Sequence, residues 1–210
     1  MTEFITHIGT DESGKGDFFG PLVIASVMAD EKSAQYFLDL GIKDSKKLSD
    51  KKMLSMAVEI KKVAPHSVIA ISNLKYNELY ANMKNLNKLL AWGHARAIEN
   101  ILEHNTCDYA ISDKFGDESL IKSALMKNGR NIRLDQMCKA ESDIAVAAAS
   151  VLARATYVQK MQDLEETYGI KFQKGCSSLV KDVARDFIKQ YGKERLKEVC
   201  KTHFKTYNEV

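Results

Sequence analysis

Residues 9–21 read GTDESGKGDFFGP, and this stretch joins two runs of residues that are typical of β-strands. The run before it, 4–10, and the run after it, 21–27, are rich in apolar and β-branched residues. Three glycines lie between the runs: Gly14, Gly16 and Gly20. Because glycine permits tight turns and the connection is short, we predict that the two strands pair as a hairpin.

Predicted helices and strands alternate along the rest of the chain. Further strands are predicted at 66–71, 107–113 and 131–137. Helices are predicted at 31–40, 85–104, 117–127, 142–168, 179–191 and 194–200. A further helix is predicted to begin after Ser49, which would cap it. This order predicts an α/β fold whose mixed five-stranded sheet begins antiparallel and gains parallel strands through helical crossovers. The sheet is flanked by helices, with further helices at the C-terminal end.

The composition indicates a globular protein. The chain has 210 residues, 45% apolar and 28% charged, so we expect one domain spanning 1–210. Four scattered cysteines without a CxxC pair argue against a zinc site or a disulfide framework. No apolar run is long enough to cross a membrane and no signal-peptide pattern is present, so we expect a cytoplasmic protein without a membrane partner. We also expect a monomer.

Lysines cluster at 43–62, 171–181 and 189–205, although the net charge is only +3. These clusters are either solvated helix faces or parts of a surface that follows phosphates.

Four acidic residues stand at the ends of predicted elements. Asp11 and Glu12 end the first strand, Asp113 ends the fourth, and Glu141 begins the long alanine-rich helix. Because neighbouring strand residues face opposite ways, Asp11 and Glu12 can serve one site only if the strand ends or kinks at Ser13. Any one of these acids could instead be a turn former or a helix-start acid. Together they favour a site of hard oxygen ligands for Mg²⁺ or Mn²⁺.

Several blocks of the sequence resemble the ribonuclease HII/HIII family. The GTDESGKGDFFGP stretch is similar to its opening motif, and DSKKLS at 44–49 to its second motif. NLNKLLAWGHARAIEN at 85–100 resembles a helix of ribonuclease HIII, as does HFK at 203–205. KAES at 139–142, followed by DIAVAAASVLARATYV, is similar to the third block. These matches run in order over nearly the whole chain.

The resemblance implies an RNase H-like fold with four catalytic, metal-binding carboxylates. Carried over by position, they are Asp11, Glu12, Asp113 and Glu141. The glutamate at position 141 is typical of ribonuclease HIII, and Asp143, its rival for this role, does not align. The family's chemistry implies two divalent ions, Mg²⁺ or Mn²⁺. Our hypothesis is that Asp11 bridges both ions, Glu12 and Asp113 complete one site, and Glu141 serves the other.

The resemblance also implies a nucleic-acid substrate, either an RNA/DNA hybrid or duplex DNA that contains ribonucleotides. It implies cleavage that leaves 5′-phosphate and 3′-hydroxyl ends. Gly14, Lys15 and Gly16 would read the ribose 2′-hydroxyl through exposed amides; otherwise they form a simple hairpin turn. The remaining predicted substrate-binding residues are Ser45, Lys46 and Lys47, which would hold phosphates unless they are only an exposed basic helix start.

Further residues in the matching blocks allow more than one interpretation. Arg154 could reach a phosphate or pair with an acid, and Ser150 could be only a packing residue. Trp92 is expected in the core, and His94 is expected to be a hydrogen-bonded structural histidine rather than a catalyst. Nothing in its spacing assigns a role to His203.

Three alternative functions follow from other readings of the same residues. A ribonuclease HII would cut at single ribonucleotides embedded in DNA. A junction resolvase with the same fold would cut an all-DNA substrate, and a binding module would not cut at all. Ribonuclease HIII typically carries an N-terminal substrate-binding domain, and we expect the present 210 residues to comprise only the catalytic domain.

Overall fold

The computed structural model describes residues 4–42 and 49–210. Its strands are β1 (His7–Ser13), β2 (Leu22–Ala29), β3 (His66–Ile71), β4 (Tyr109–Asp113) and β5 (Arg133–Met137). Its helices are α1 (Glu31–Asp39), α2 (Asp50–Val63), α3 (Asn73–Met83), α4 (Leu86–Leu102), α5 (Glu118–Ala124), α6 (Ile144–Tyr168), α7 (Ser178–Tyr191) and α8 (Thr206–Glu209). Short 3₁₀ turns span Ala140–Ser142 and Lys193–Glu198.

The strands form one mixed sheet in the order β3-β2-β1-β4-β5. β2 pairs antiparallel with both β1 and β3, whereas β4 runs parallel to β1 and to β5. The predicted α/β fold with an antiparallel start and parallel additions is therefore confirmed. Because β1, β4 and β5 are parallel, their C-terminal ends meet at one edge of the sheet.

Helices cover both faces of the sheet, and two glycines set how closely they approach. A Cβ atom on Gly9 of β1 would lie 2.1 Å from the backbone nitrogen of Val146 in α6. A Cβ atom on Gly93 of α4 would lie 2.0 Å from Cδ1 of Ile24 in β2. Both positions therefore exclude larger residues, and α6 and α4 pack directly on opposite faces of the sheet.

Capping side chains determine where the first six helices begin. In each case a side-chain oxygen before the helix accepts a hydrogen bond from a backbone N–H of the first turn. These residues are Asp30, Ser49, Ser72, Asn85, Asp117 and Asp143. The cap predicted at Ser49 is thus confirmed, while residues 43–48 before it lie outside the described residues.

Some predicted boundaries were wrong. The first strand extends to Ser13 rather than ending at Thr10, because its pairing with β2 continues through Asp11, Glu12 and Ser13. The prediction that Glu141 begins the long helix was also wrong. α6 starts at Ile144, and Glu141 lies in the preceding 3₁₀ turn.

α3 had no counterpart in the prediction. Its sequence, NLKYNELYANM, lacks a clear apolar stripe. The helix is stabilised instead by contacts with distant segments: the Asn73 side chain donates to the carbonyl of Gly20, and Asn77 donates to the carbonyl of Cys200. Among the described residues, no helix is long and apolar enough to cross a membrane.

Candidate active site

Asp11 lies near the end of β1 and faces α6. Two groups orient its carboxylate: the backbone N–H of Glu12 donates to Oδ1 at 2.8 Å, and the Ser150 side chain on α6 forms a further hydrogen bond. Burial raises the pKa of Asp11 to about 6, and the negative charge of Glu12 adds to this effect. Ser150 is therefore more than a packing residue, since it binds the carboxylate that burial disfavours.

Glu12 faces the opposite side of the sheet, towards α4. Its carboxylate lies 3.2 Å from Nε2 of His94 and 3.3 Å from Nζ of Lys15. Burial raises the pKa of Glu12, but the His94 hydrogen bond and the positive charge of Lys15 outweigh this effect, so the pKa is lowered overall. The strand does not kink between Asp11 and Glu12, since its pairing with β2 is regular over both residues.

His94 is fully buried and connects Glu12 to the sheet. Its Nδ1 lies 2.8 Å from the hydroxyl of Thr10, which itself donates to the carbonyl of Ala25. Because the hydroxyl has only one proton to give, Nδ1–H of His94 must be the donor to Thr10. The predicted structural role of His94 is therefore to hold the Glu12 carboxylate.

Asp113 ends β4 beside Asp11. The register pairs Thr10 with Ser112, so the next residues on these parallel strands, Asp11 and Asp113, occupy adjacent positions on the same face. Neighbouring strands lie about 4.8 Å apart. The backbone N–H of Ala140 donates to the Asp113 carboxylate at 3.2 Å.

Glu141 follows Ala140 in the 3₁₀ turn, which places its backbone next to Asp113. The rival acid, Asp143, is occupied by structural bonds. One of its oxygens caps α6, and the other lies 2.8 Å from Nε2 of His7. Within residues 4–42 and 49–210, no three acidic, histidine or cysteine side chains already form a metal-binding group. The structure therefore brings Asp11, Asp113 and Glu141 to one edge of the sheet and places Glu12 on the far face of β1.

The donor set nevertheless suits a divalent cation. The carboxylate oxygens are hard ligands. The pKa of Asp11 is raised because the acid is buried and lies near the negative charge of Glu12. A cation bound here would offset both the burial and the repulsion.

The GKG turn, defined as Gly14–Lys15–Gly16, follows β1 directly. Gly14 has φ +85°, and a Cβ atom there would lie 2.3 Å from the Pro21 carbonyl oxygen, so the fold requires glycine. Gly16 is exposed and a Cβ atom there would meet nothing within 4 Å. The fold therefore does not require glycine at position 16, and the backbone there is open to a ligand.

The other predicted binding residues have different outcomes. Ser45, Lys46 and Lys47 lie outside the described residues. Arg154, for which an acid or a phosphate partner was left open, lies 3.3 Å from the carboxylate of Asp50. Trp92 is half-buried and packs at the edge of a core cluster.

Sequence reasoning did not find the roles of Thr10 and Lys201 and assigned His94 no partner. The detectable signal for His94 was a polar residue within the apolar stripe of the helix at 85–104. For Lys201 the sequence offers no such signal, because its partners at Asp17 and Gly20 are more than 180 residues away along the chain.

Comparison with known proteins agrees with this fold. Residues 8–207 match the family described as Ribonuclease HII. The chain thus belongs to the ribonuclease HII family, which confirms the resemblance seen in the sequence and makes it a ribonuclease H endonuclease.

Within that family, its curated relatives carry the name Ribonuclease HIII. The protein of that name from Protochlamydia amoebophila is 43% identical over 204 residues, which cover 97% of this chain and 68% of the relative. The one from Chlamydia felis is 46% identical over 207 residues, covering 97% and 69%.

Solved structures show the same fold. The crystal structure of Bst-RNase HIII in complex with Mn²⁺ superposes with a TM-score of 0.90 at 30% identity, covering 99% of this chain and 69% of that one. Ribonuclease H2 from Pyrococcus horikoshii OT3 has a TM-score of 0.83 at 25% identity, covering 98% and 96%. The expected RNase H-like fold is thus confirmed.

Proposed function

We propose that this protein hydrolyses the RNA strand of RNA/DNA hybrids and leaves 5′-phosphate and 3′-hydroxyl ends. The observation that carries the proposal is the meeting of Asp11 and Asp113 at the ends of adjacent parallel strands, next to a turn that is open at Gly16. The similarity to proteins named Ribonuclease HIII supports the same substrate.

The residues that would hold the divalent ions are Asp11, Glu12, Asp113 and Glu141. Although Glu12 leaves β1 on the other face, it could serve the same site because the strand ends at Ser13, one residue later. Mg²⁺ or Mn²⁺ bound there would supply charge stabilisation and a nucleophilic water for phosphodiester hydrolysis. The Mn²⁺ complex of Bst-RNase HIII supports this ion chemistry.

The protein's own part is to orient these ligands. The Ser150 side chain and the Glu12 N–H fix Asp11, and the Ala140 N–H fixes Asp113. On the other face of β1, His94 and Lys15 hold Glu12. Asp11, Glu12 and Asp113 therefore each have a partner that limits the rotation of the carboxylate, which reduces the cost of arranging the site when ligands bind.

The GKG turn and the basic segment 45–47 would select the substrate. The open backbone at Gly16 can approach a ribose closely, and Lys15 is 37% exposed and can turn towards a phosphate. Ser45, Lys46 and Lys47 would hold phosphates of the duplex, as the family motif implies.

The test is cleavage of three labelled duplexes of one sequence: an RNA/DNA hybrid, a DNA duplex with one ribonucleotide, and an all-DNA duplex. We expect Mg²⁺- or Mn²⁺-dependent cleavage of the hybrid that EDTA abolishes. Preferred cleavage at the single ribonucleotide would instead indicate ribonuclease HII activity, and absence of any cleavage would contradict the proposal.

We further propose that residues 1–210 act as a single catalytic domain and as a cytoplasmic monomer. Size-exclusion chromatography with light scattering, during active turnover of the hybrid, tests the oligomeric state. A dimer mass under those conditions would overturn it.

A further inference from the structure

Lys201 is a fully buried lysine that none of the proposed catalytic roles uses. Its ammonium donates to the backbone carbonyl of Asp17 at 2.8 Å and to that of Gly20 at 2.7 Å. Both acceptors belong to the segment that follows the GKG turn and leads into β2. The Asn73 side chain of α3 donates to the same Gly20 carbonyl at 2.7 Å.

The backbone around Lys201 grips the same segment. We define residues 199–202 as the C-terminal strap. Gly20 N–H donates to the carbonyl of Val199 at 3.0 Å, and Lys201 N–H donates to that of Phe18 at 2.9 Å, so the strap pairs antiparallel with 18–20. The segment after the turn is therefore held by a part of the chain about 180 residues away.

Other parts of the chain also hold this segment. The Asp17 carboxylate accepts from Gly175 N–H at 2.6 Å, and Phe18 N–H donates to the Gly175 carbonyl at 2.9 Å. Tyr157 of α6 donates to the carbonyl of Phe19 at 3.3 Å. The GKG turn itself has one internal backbone bond, from Asp17 N–H to the Gly14 carbonyl at 3.3 Å. Its shape therefore depends on what holds 17–20.

A buried ammonium is a costly way to satisfy two carbonyls. Burial lowers the pKa of Lys201 to about 7, although the Asp17 carboxylate opposes this shift. An apolar residue at this place would remove the donor to the Asp17 carbonyl and one of the two side-chain donors to the Gly20 carbonyl. What the ammonium adds is a rigid, charge-assisted connection to two carbonyls three residues apart.

We propose that Lys201 is a positioning residue for substrate selection: by holding the carbonyls of Asp17 and Gly20, it sets the conformation in which the GKG turn meets the ribose. The inference rests on the proposed function of the turn. It assigns Lys201 no contact with the substrate.

The test compares Lys201→Met with Glu99→Gln. Glu99 is the matched control because it is also a buried ionisable group that holds a loop backbone, accepting from the N–H groups of Met126, Asn128 and Gly129 at 2.7–3.1 Å. Affinity for the RNA/DNA hybrid and for an all-DNA duplex is measured by fluorescence anisotropy with Ca²⁺ in the buffer, and kcat and KM for the hybrid are measured with Mg²⁺.

We expect Lys201→Met to lower the preference for the hybrid over DNA by about tenfold or more, the loss typical of a charge-assisted hydrogen bond. KM should rise more than kcat falls, and Mn²⁺ affinity by calorimetry should not change. Glu99→Gln should lower the melting temperature while leaving the preference intact. If Lys201→Met does not fold, Lys201→Gln, which keeps a neutral donor, should give an intermediate loss.

Two results separate the possible failures. A Lys201 variant that melts earlier but retains the full hybrid preference would overturn the positioning role. A wild-type protein that does not prefer the hybrid would overturn the proposed function itself, whatever Lys201 does.

Discussion

The two sides of β1 give neighbouring acids opposite properties. On the α6 side, Asp11 is buried and accepts a hydrogen bond from Ser150; burial, together with the negative charge of Glu12, raises its pKa to about 6. On the α4 side, Glu12 meets His94 and Lys15, and its pKa is lowered. The adjacent pair in the sequence is therefore not one unit: one acid carries an electrostatic cost in the fold, and the other is held by positive charge. The predictions below test this contrast.

The largest effect is expected on the α6 side. Asp11→Asn should reduce hybrid cleavage by at least about a thousandfold, because the acid proposed to bridge both ions is lost. Single-turnover cleavage with Mg²⁺ measures this. Near wild-type rates would remove Asp11 from the site.

The same variant should be more stable than the wild type at neutral pH, which is the opposite of its effect on activity. The folded-state pKa of Asp11 lies above the unfolded value of 3.8, so ionisation costs stability as pH rises from 3.8 through about 6. In EDTA, Asp11→Asn should gain about 3 kcal/mol at pH 7 and almost nothing below pH 3.8 in urea titrations. A pH-independent difference would contradict the electrostatic explanation.

A second pair of variants separates the two acids near the start of α6. Glu141→Gln should lower cleavage strongly with little change in melting temperature, since it is proposed to bind an ion. Asp143→Asn should instead cost about 1–3 kcal/mol of stability, because it weakens the bond to His7 and the helix cap. Activity and thermal melts of both variants decide; the reverse pattern would make Asp143 the ligand.

On the α4 side, the expected effect is smaller because His94 acts through Glu12. His94→Ala should reduce cleavage by about tenfold to a hundredfold and raise the Mn²⁺ concentration needed for half-maximal activity. Phe115→Leu is the matched control, since Phe115 stacks on the His94 ring at 4.9 Å but makes neither of its hydrogen bonds. Equal metal dependence in both variants would show that the ring's packing matters and not its hydrogen bonds.

The smallest effect on activity and stability is expected at Gly16 of the GKG turn. Gly16→Ala should leave the melting temperature unchanged and raise KM for the hybrid several-fold, because only a ligand approaches there. Gly14→Ala should cost about 2–3 kcal/mol, since its positive φ and contacts with Pro21 exclude a side chain. Equal loss of stability in both variants would show that the turn is glycine-rich for folding alone.

Local patterns predicted most of the fold. Alternating and β-branched runs located all five strands, and helical period located α4 and α6, because these elements bury a face that the sequence shows directly. α3 escaped prediction because its stability comes from Asn73 and Asn77, whose partners are far along the chain. Boundaries were less certain for the same reason: pairing with β2 draws Asp11 and Glu12 into the strand.

The sequence also predicted the candidate site only in part: it gave the acids but not their surroundings. Asp11, Glu12 and Glu141 stand in blocks that resemble the family, and Asp113 was carried over from its position at the end of the fourth predicted strand. The surroundings could not be predicted in this way, because His94 meets Glu12 only through the packing of α4 on the sheet. The sequence left Asp143 as a rival of Glu141 for the metal site. In the structure the Asp143 carboxylate contacts His7, which gives Asp143 a structural role instead.

By itself, the sequence determined the family, the mixed sheet and the acids available for chemistry, because strand and helix periods and short motifs are local properties of the chain. The tertiary structure alone decided which face each acid occupies, what raises or lowers its pKa, and how Lys201 holds the turn after β1. Those properties depend on burial and on charges brought together from distant parts of the chain, and no local pattern encodes them.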